Sequence, residues 1–303
     1  MIRVIRLGAL LALLFLAAPV AASADDPPFV GWTALLPGLT DEYQPNSDND
    51  CAAGRTHCVD AVIREMRRRF DPLAGSCDHD AIFSLTYLRT TEEYRRTIED
   101  PTFFENTRFV NHEDAVFARY YFEAYDNWAA GRRLAVPPAW EIAFDAADQR
   151  AVSAAGNLAL GINAHVQRDL PFVLAAIGLV KPDGSSRKPD HDRVNEFLNR
   201  VADELYPEIA RRFDPTIDDG DIPGTTADNF AEFQIIPTWR EIAWRNAERL
   251  VSAPSVAARA LVAADIESYA ALQAQTLRTT YEYGPLSSSA ARDAYCAVHH
   301  NDP

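Results

Sequence analysis

Residues 150–180, RAVSAAGNLALGINAHVQRDLPFVLAAIGLV, decide the fold class. Apolar residues recur through this stretch at three- and four-residue spacing, the period of an α-helix buried on most sides. At about 100° per residue, Leu158, Gly161, Ile162, His165, Asp169 and Phe172 share one face. His165 and Asp169 therefore lie in the apolar stripe, whereas Gln167 and Arg168 fall outside it, where water is the ordinary surrounding. Pro171 denies a backbone bond to the carbonyl of residue 167, so a kink or an end is predicted just after Asp169. Burying Asp169 without a partner would cost several kcal/mol, and His165, one turn earlier, is the nearest candidate partner.

Three readings of this pair stay open. It is a structural hydrogen-bonded couple tying helices together. It is half of a metal site, since ligands at i and i+4 project to one point. Or it is an acid–base pair in which Asp169 orients the imidazole.

Outward from this segment the helical period continues. Val59, Val62, Ile63, Met66 and Phe70 form one stripe. Asn111, with Asp114 three residues on, resembles a capping box before a helix bearing Phe117, Tyr121, Ala124 and Trp128. Pro137-Pro138 and Pro254 suit first helical turns, and RRFDPL (68–73) and RRFDPT (211–216) read as helix stops. No segment alternates with the period of a strand. The predicted fold is all-α, a single helical-bundle-like domain of long antiparallel helices over residues 55–303. An irregular arm rich in Pro, Asp and Asn precedes it at 25–54.

Residues 1–24 carry Arg3 and Arg6, then LGALLALLFLAAPVA, then Ala22-Ser23-Ala24 before Asp25. That is the pattern of a cleaved secretory signal peptide. The apolar run is shorter than the roughly 18 residues of a spanning helix, so a secreted or extracytoplasmic chain with no stable membrane insertion after cleavage is expected. With 29 basic and 44 acidic side chains the net charge is −15, and losing Arg3 and Arg6 makes it more negative. A field of that sign repels phosphate backbones, so nucleic acid is not an expected partner. Cys51, Cys58, Cys77 and Cys296 read as two disulfides in that compartment, with Cys296 tying the C-terminal end back to the N-terminal region. The competing reading is a metal site drawing on these cysteines with His57 and His79, but none of the spacings is the close Cys-x-x-Cys type.

A second polar cluster is PDHDRVNEFL (189–198). Asp190 is placed to cap a helix with His191 and Asp192 in its first turn and Asn195 one turn on. His112 and Glu113 open another helix, and Trp140 follows the double proline. If these elements converge, His165, Asp169, His191 and His112 have the composition of a divalent-metal site, for example zinc, with Asp192 or Glu113 as proton acceptor. Asn163, Asn195 and Trp140 would then line the pocket. The result would be a metal-assisted hydrolase. The alternatives are a non-catalytic pocket for a small or lipid-like ligand, and a purely structural polar core.

The segment Gly161-x-Asn163-Ala164-His165-x-x-x-Asp169-Leu170-Pro171, followed by DHDRVNEFLNRV (190–201), resembles the signature of a bacterial domain-of-unknown-function family over roughly residues 55–280. The resemblance implies that Asn163, His165, Asp169, Pro171, His191 and Asn195 matter, without assigning roles. A more distant likeness is to the zinc-dependent phospholipases C and single-strand nucleases, all-α secreted hydrolases with a helical His-x-x-x-Asp. His165 and Asp169 match that element. His191 is followed at i+4 by Asn195 rather than a ligand, and no tryptophan begins the mature chain, so this likeness implies at most a single metal or a degenerate site.

Overall fold

The computed structural model describes residues 41–218, 235–283 and 288–303. Residues 1–40, which hold the predicted signal-peptide pattern and the first part of the predicted arm, lie outside the described residues. About 75% of the structure is helical, with no strand among the described residues; the fold is all-α. The helices are α1 (Thr56–Gly75), α2 (Ala81–Thr97), α3 (Thr107–Ala129), α4 (Pro138–Asp148), α5 (Ala154–Ile162), α6 (Leu170–Ile177), α7 (Lys188–Arg212), α8 (Ile235–Ser252), α9 (Val256–Tyr281) and α10 (Ser289–His299). Residues Asn163–Asp169, between α5 and α6, form a π-helix.

Local chemistry accounts for most boundaries. Asn106 caps α3, its side chain accepting from the Phe109 N–H at 3.1 Å. Ser153 and Ser255 do the same for α5 and α9. Pro138 opens α4 as expected, since a first-turn proline sacrifices no helical hydrogen bond. Asn111 is not a cap. It lies inside α3, buried, accepting from the Tyr94 hydroxyl at 2.5 Å. Likewise α1 runs through Asp71-Pro72 to Gly75, because burying Leu73 and Ala74 outweighs the local stop signal. Asp190 caps no helix; its carboxylate accepts from the Glu105 and Asn106 backbone N–H groups at 2.7 and 3.0 Å, fastening α7 to the turn before α3.

The π-helix sits at the centre, packed by α3, α4, α8 and α9. All seven of its residues are buried. Pro171, in the first turn of α6, has no N–H for the carbonyl of residue 167, and its ring would press on that carbonyl in a regular α-turn. The wider π turn relieves both problems. Gly161, one turn before His165, permits this packing. A Cβ there would stand 2.2 Å from the Phe83 ring. Gly54, at φ +62°, closes the arm against α3, where a Cβ would collide with the Arg108 carbonyl.

Two disulfides join distant parts. Cys51–Cys58 clips the arm to the first turn of α1, and Cys77–Cys296 ties the α1–α2 turn to α10 across 219 residues of sequence. All four cysteines are thereby used, so none is left as a metal ligand.

Candidate functional site

Asp169 is wholly buried and holds three donors. Its Oδ2 accepts from Trp140 Nε1 at 2.9 Å and from His165 Nδ1 at 3.1 Å; its Oδ1 accepts from Arg168 Nη1 at 3.0 Å. Arg168, 1% exposed, donates through Nε and Nη2 to Glu267 Oε1 of α9 at 2.8 and 2.6 Å. One carboxylate thus gathers α4, the π-helix and, through Arg168, α9. Charge-assisted bonds of this kind offset a desolvation cost of several kcal/mol.

Burial pushes the His165 pKa below its ordinary value, opposed by Asp169, and leaves the ring neutral. Because Asp169 Oδ2 can only accept here, Nδ1 carries the hydrogen and Nε2 presents a lone pair. The ring lies flat on Phe117, with centroids 3.5 Å apart and planes at 6°, and Tyr87 is 4.4 Å away. His165 Nε2 has no hydrogen-bond partner among the described residues and borders a cavity of about 120 Å³ lined by residues of α2, α3, α5, α7, α8 and the π-helix. Most of its walls are apolar rings and aliphatic chains. Glu113 and Asp114 of α3, Tyr87 and Tyr94 of α2 and Arg240 of α8 are the ionisable groups that join His165 on them.

Burial raises both acids. Glu113 is pushed up to about 7, with Arg240 opposing, and Asp114 to about 8, reinforced by Glu113. Asp114 is half-buried as a whole, but its Oδ2 is closed off from solvent and has no partner among the described residues. Across one small space stand a neutral base fixed by a carboxylate and an acid that keeps its proton near neutrality. That arrangement is chemically equipped for proton transfer.

The raised acids also set a pH dependence. Both hold protons in the folded chain at pH values where the unfolded chain, with carboxyls near about 4, has released them. Their contribution to stability is full below about pH 4 and is lost as pH climbs through the folded values of about 7 and 8. Asp114→Asn should therefore gain about 1–3 kcal/mol on the native chain between pH 5 and pH 8, after allowance for its partly open surface. Thermal melts at the two pH values check this; an equal effect at both contradicts it.

The other expected site residues do not join His165. His112 turns both ring nitrogens to backbone carbonyls, of Cys51 at 3.0 Å and Asp41 at 2.9 Å, and anchors the arm. His191 is enclosed by Arg240, with Nε2 on its carbonyl and Nδ1 taking its Nη2–H, both at 3.2 Å. Asp192 is exposed and paired with Lys188. Asn163 donates to the Ala270 carbonyl at 2.9 Å. Asn195 is half-buried on α7 and does not line the cavity, nor does Trp140, which supports Asp169 from behind. The expected convergence of His165, Asp169, His191 and His112 on a metal is therefore corrected: the nitrogens of His112 and His191 are committed elsewhere. Among the described residues no group of three or more His, Cys, Asp or Glu side chains is arranged to hold a metal ion.

Arg168 is the other correction. Expected at the surface, it is among the most deeply buried side chains, because a π turn does not advance 100° per residue and α9 covers that side. Glu267, Tyr87 and Phe117 carry no sequence signal of a site; each reaches His165 or Arg168 only through packing of distant helices.

One family's sequence model, described as a family of unknown function (DUF5995), matches residues 59–280. The chain belongs to that family. The matched region contains the whole polar cluster and every residue that borders the cavity. Comparison with curated proteins and with solved structures returns no match, so the likeness to zinc-dependent phospholipases and nucleases has no support beyond the single His-x-x-x-Asp element.

Proposed function

We propose that this chain is an exported small-molecule-binding protein whose cavity receives one small, mainly apolar molecule through a hydrogen bond to His165. The observation that carries the reading is His165 Nε2: buried, oriented by Asp169, bordering a cavity and without a partner among the described residues. Buried polar atoms are ordinarily satisfied, and an unsatisfied acceptor at a cavity is the usual mark of a missing donor. The size fits, since an apolar cavity of about 150 Å³ takes a benzene-sized molecule.

Benzyl alcohol and ethylbenzene, matched in shape, test this by ligand-observed NMR. Benzyl alcohol is expected to bind more tightly by about 1 kcal/mol or more, the value of one hydrogen bond. His165→Leu should erase that preference. Equal binding of the two probes, or a preference that survives the substitution, defeats the reading.

Export is supported by the signal-peptide pattern of residues 1–24 and by the two disulfides. No helix among the described residues is long and apolar enough to cross a membrane. Intact mass of chain recovered outside the cytoplasm should correspond to a start at Asp25; recovery of the uncleaved chain alone contradicts export.

A further inference from the structure

His165 Nε2 is one of four buried polar atoms on the residues lining the cavity that have no partner among the described residues. The others are Tyr87 Oη, Asp114 Oδ2 and Arg240 Nε. His165 and Tyr87 are 3% and 6% exposed, so water at the surface does not serve them. Arg240 Nε–H is a donor; each of the other three can accept a hydrogen bond. His165 Nε2 can only accept, because Nδ1 carries the ring hydrogen; a carboxyl oxygen accepts; a phenol oxygen accepts as readily as it donates. Around them stand the rings of Phe83, Phe117, Tyr94 and Phe197.

We propose that the ligand is a small primary amine in its protonated form, its ammonium group donating to His165, Tyr87 and Asp114 and its apolar body lying against the aromatic walls. This rests on the reading of His165 as the ligand's acceptor and goes further by naming the ligand's charge and donor number.

Charge balance selects a cation. Arg240 acts electrostatically on Glu113, and these two offset one another; among the described residues no cation acts likewise on Asp114, which feels only the like charge of Glu113 and keeps its proton in the empty cavity. A bound ammonium takes the place of that proton, which leaves to solvent, and its charge balances the carboxylate so formed. An anion would meet Asp114 and Glu113 together, with only the Arg240 Nε–H as an unpartnered donor. An alcohol has one donor for three acceptors, and a quaternary ammonium has none. Aromatic faces add attraction for a cation, and the chain's net charge of −15 draws cations towards it.

The test measures binding of benzylamine, benzyl alcohol, benzyltrimethylammonium and benzoate to the full mature chain at pH 7 by calorimetry. Benzylamine is expected to bind at least tenfold more tightly than benzyl alcohol or benzyltrimethylammonium, and benzoate not at all. Asp114→Asn, close in shape to the protonated acid of the empty cavity, should abolish the advantage of benzylamine over benzyl alcohol. Equal or tighter binding of benzyl alcohol, benzyltrimethylammonium or benzoate overturns the proposal, as does an amine preference that survives Asp114→Asn. If benzyl alcohol binds through His165 and benzylamine gains nothing, only the amine inference falls. If neither binds, the assignment of His165 as a ligand acceptor falls with it.

Discussion

Replacing Asp169 by alanine is expected to lower the unfolding free energy by about 3–5 kcal/mol, the range for removing one partner from a buried ionic cluster. The loss has identifiable parts. Trp140 Nε1–H and His165 Nδ1–H would lose their acceptor inside the protein, at about 1–3 kcal/mol for each orphaned group. Arg168 would keep Glu267 but lose the carboxylate nearest to it. Asp169→Asn, which keeps volume and one acceptor, should cost less, because a single amide oxygen can still receive Trp140 or His165. Urea unfolding followed by circular dichroism distinguishes the outcomes. A loss below about 1 kcal/mol for the alanine variant would mean that the cluster does not hold α4, the π-helix and α9 together.

The second large effect belongs to Cys77–Cys296. A crosslink joining residues 219 apart in sequence removes far more freedom from the unfolded chain than one joining residues 7 apart. On the chain-entropy account, replacing Cys77 and Cys296 by serine should cost about 2–5 kcal/mol, at the upper part of the range for disulfides. Replacing Cys51 and Cys58 should cost about 2 kcal/mol. The affected element also differs. Loss of Cys77–Cys296 frees α10, which otherwise packs mainly on α7, so protease cleavage near the C-terminal end should appear first. Equal destabilisation by the two pairs of substitutions would show that loop length is not the governing quantity.

Both effects bear on function through the same geometry. The cavity wall is assembled from six helical segments, and the π-helix that presents His165 is held by side chains from α4 and α9 that do not line the cavity. Weakening that support should change how well His165 accepts a donor before it unfolds the chain, because position of the ring is set by Asp169 on one edge and by Phe117 beneath.

Much of this was legible in the residues themselves. Apolar spacing of three and four is a property of chain order, so the all-α class and the apolar stripe carrying His165 and Asp169 followed from periodicity alone. Pro171 announced a disturbance of the helix, since a missing N–H is a covalent fact. The even cysteine count and the isolation of Cys296 near the end of the chain pointed to a bridge closing the ends.

Other features depended on what lies across space. Periodicity at 100° per residue put Arg168 in water; the π turn and the cover provided by α9 put it in the core, with Glu267 as its counter-ion. His112 and His191 had the composition of metal ligands, yet backbone carbonyls of Cys51, Asp41 and Arg240 occupy them, and carbonyl positions are not written in side-chain identity. Asp114 read as part of a helix cap and lies on the wall of the cavity facing His165. Chain order determined which residues are helical and which polar groups would need partners, because those are local consequences of spacing and chemistry. Tertiary packing alone decided which partners they found, and it left His165, Tyr87 and Asp114 bordering one cavity with polar atoms that no other described residue reaches.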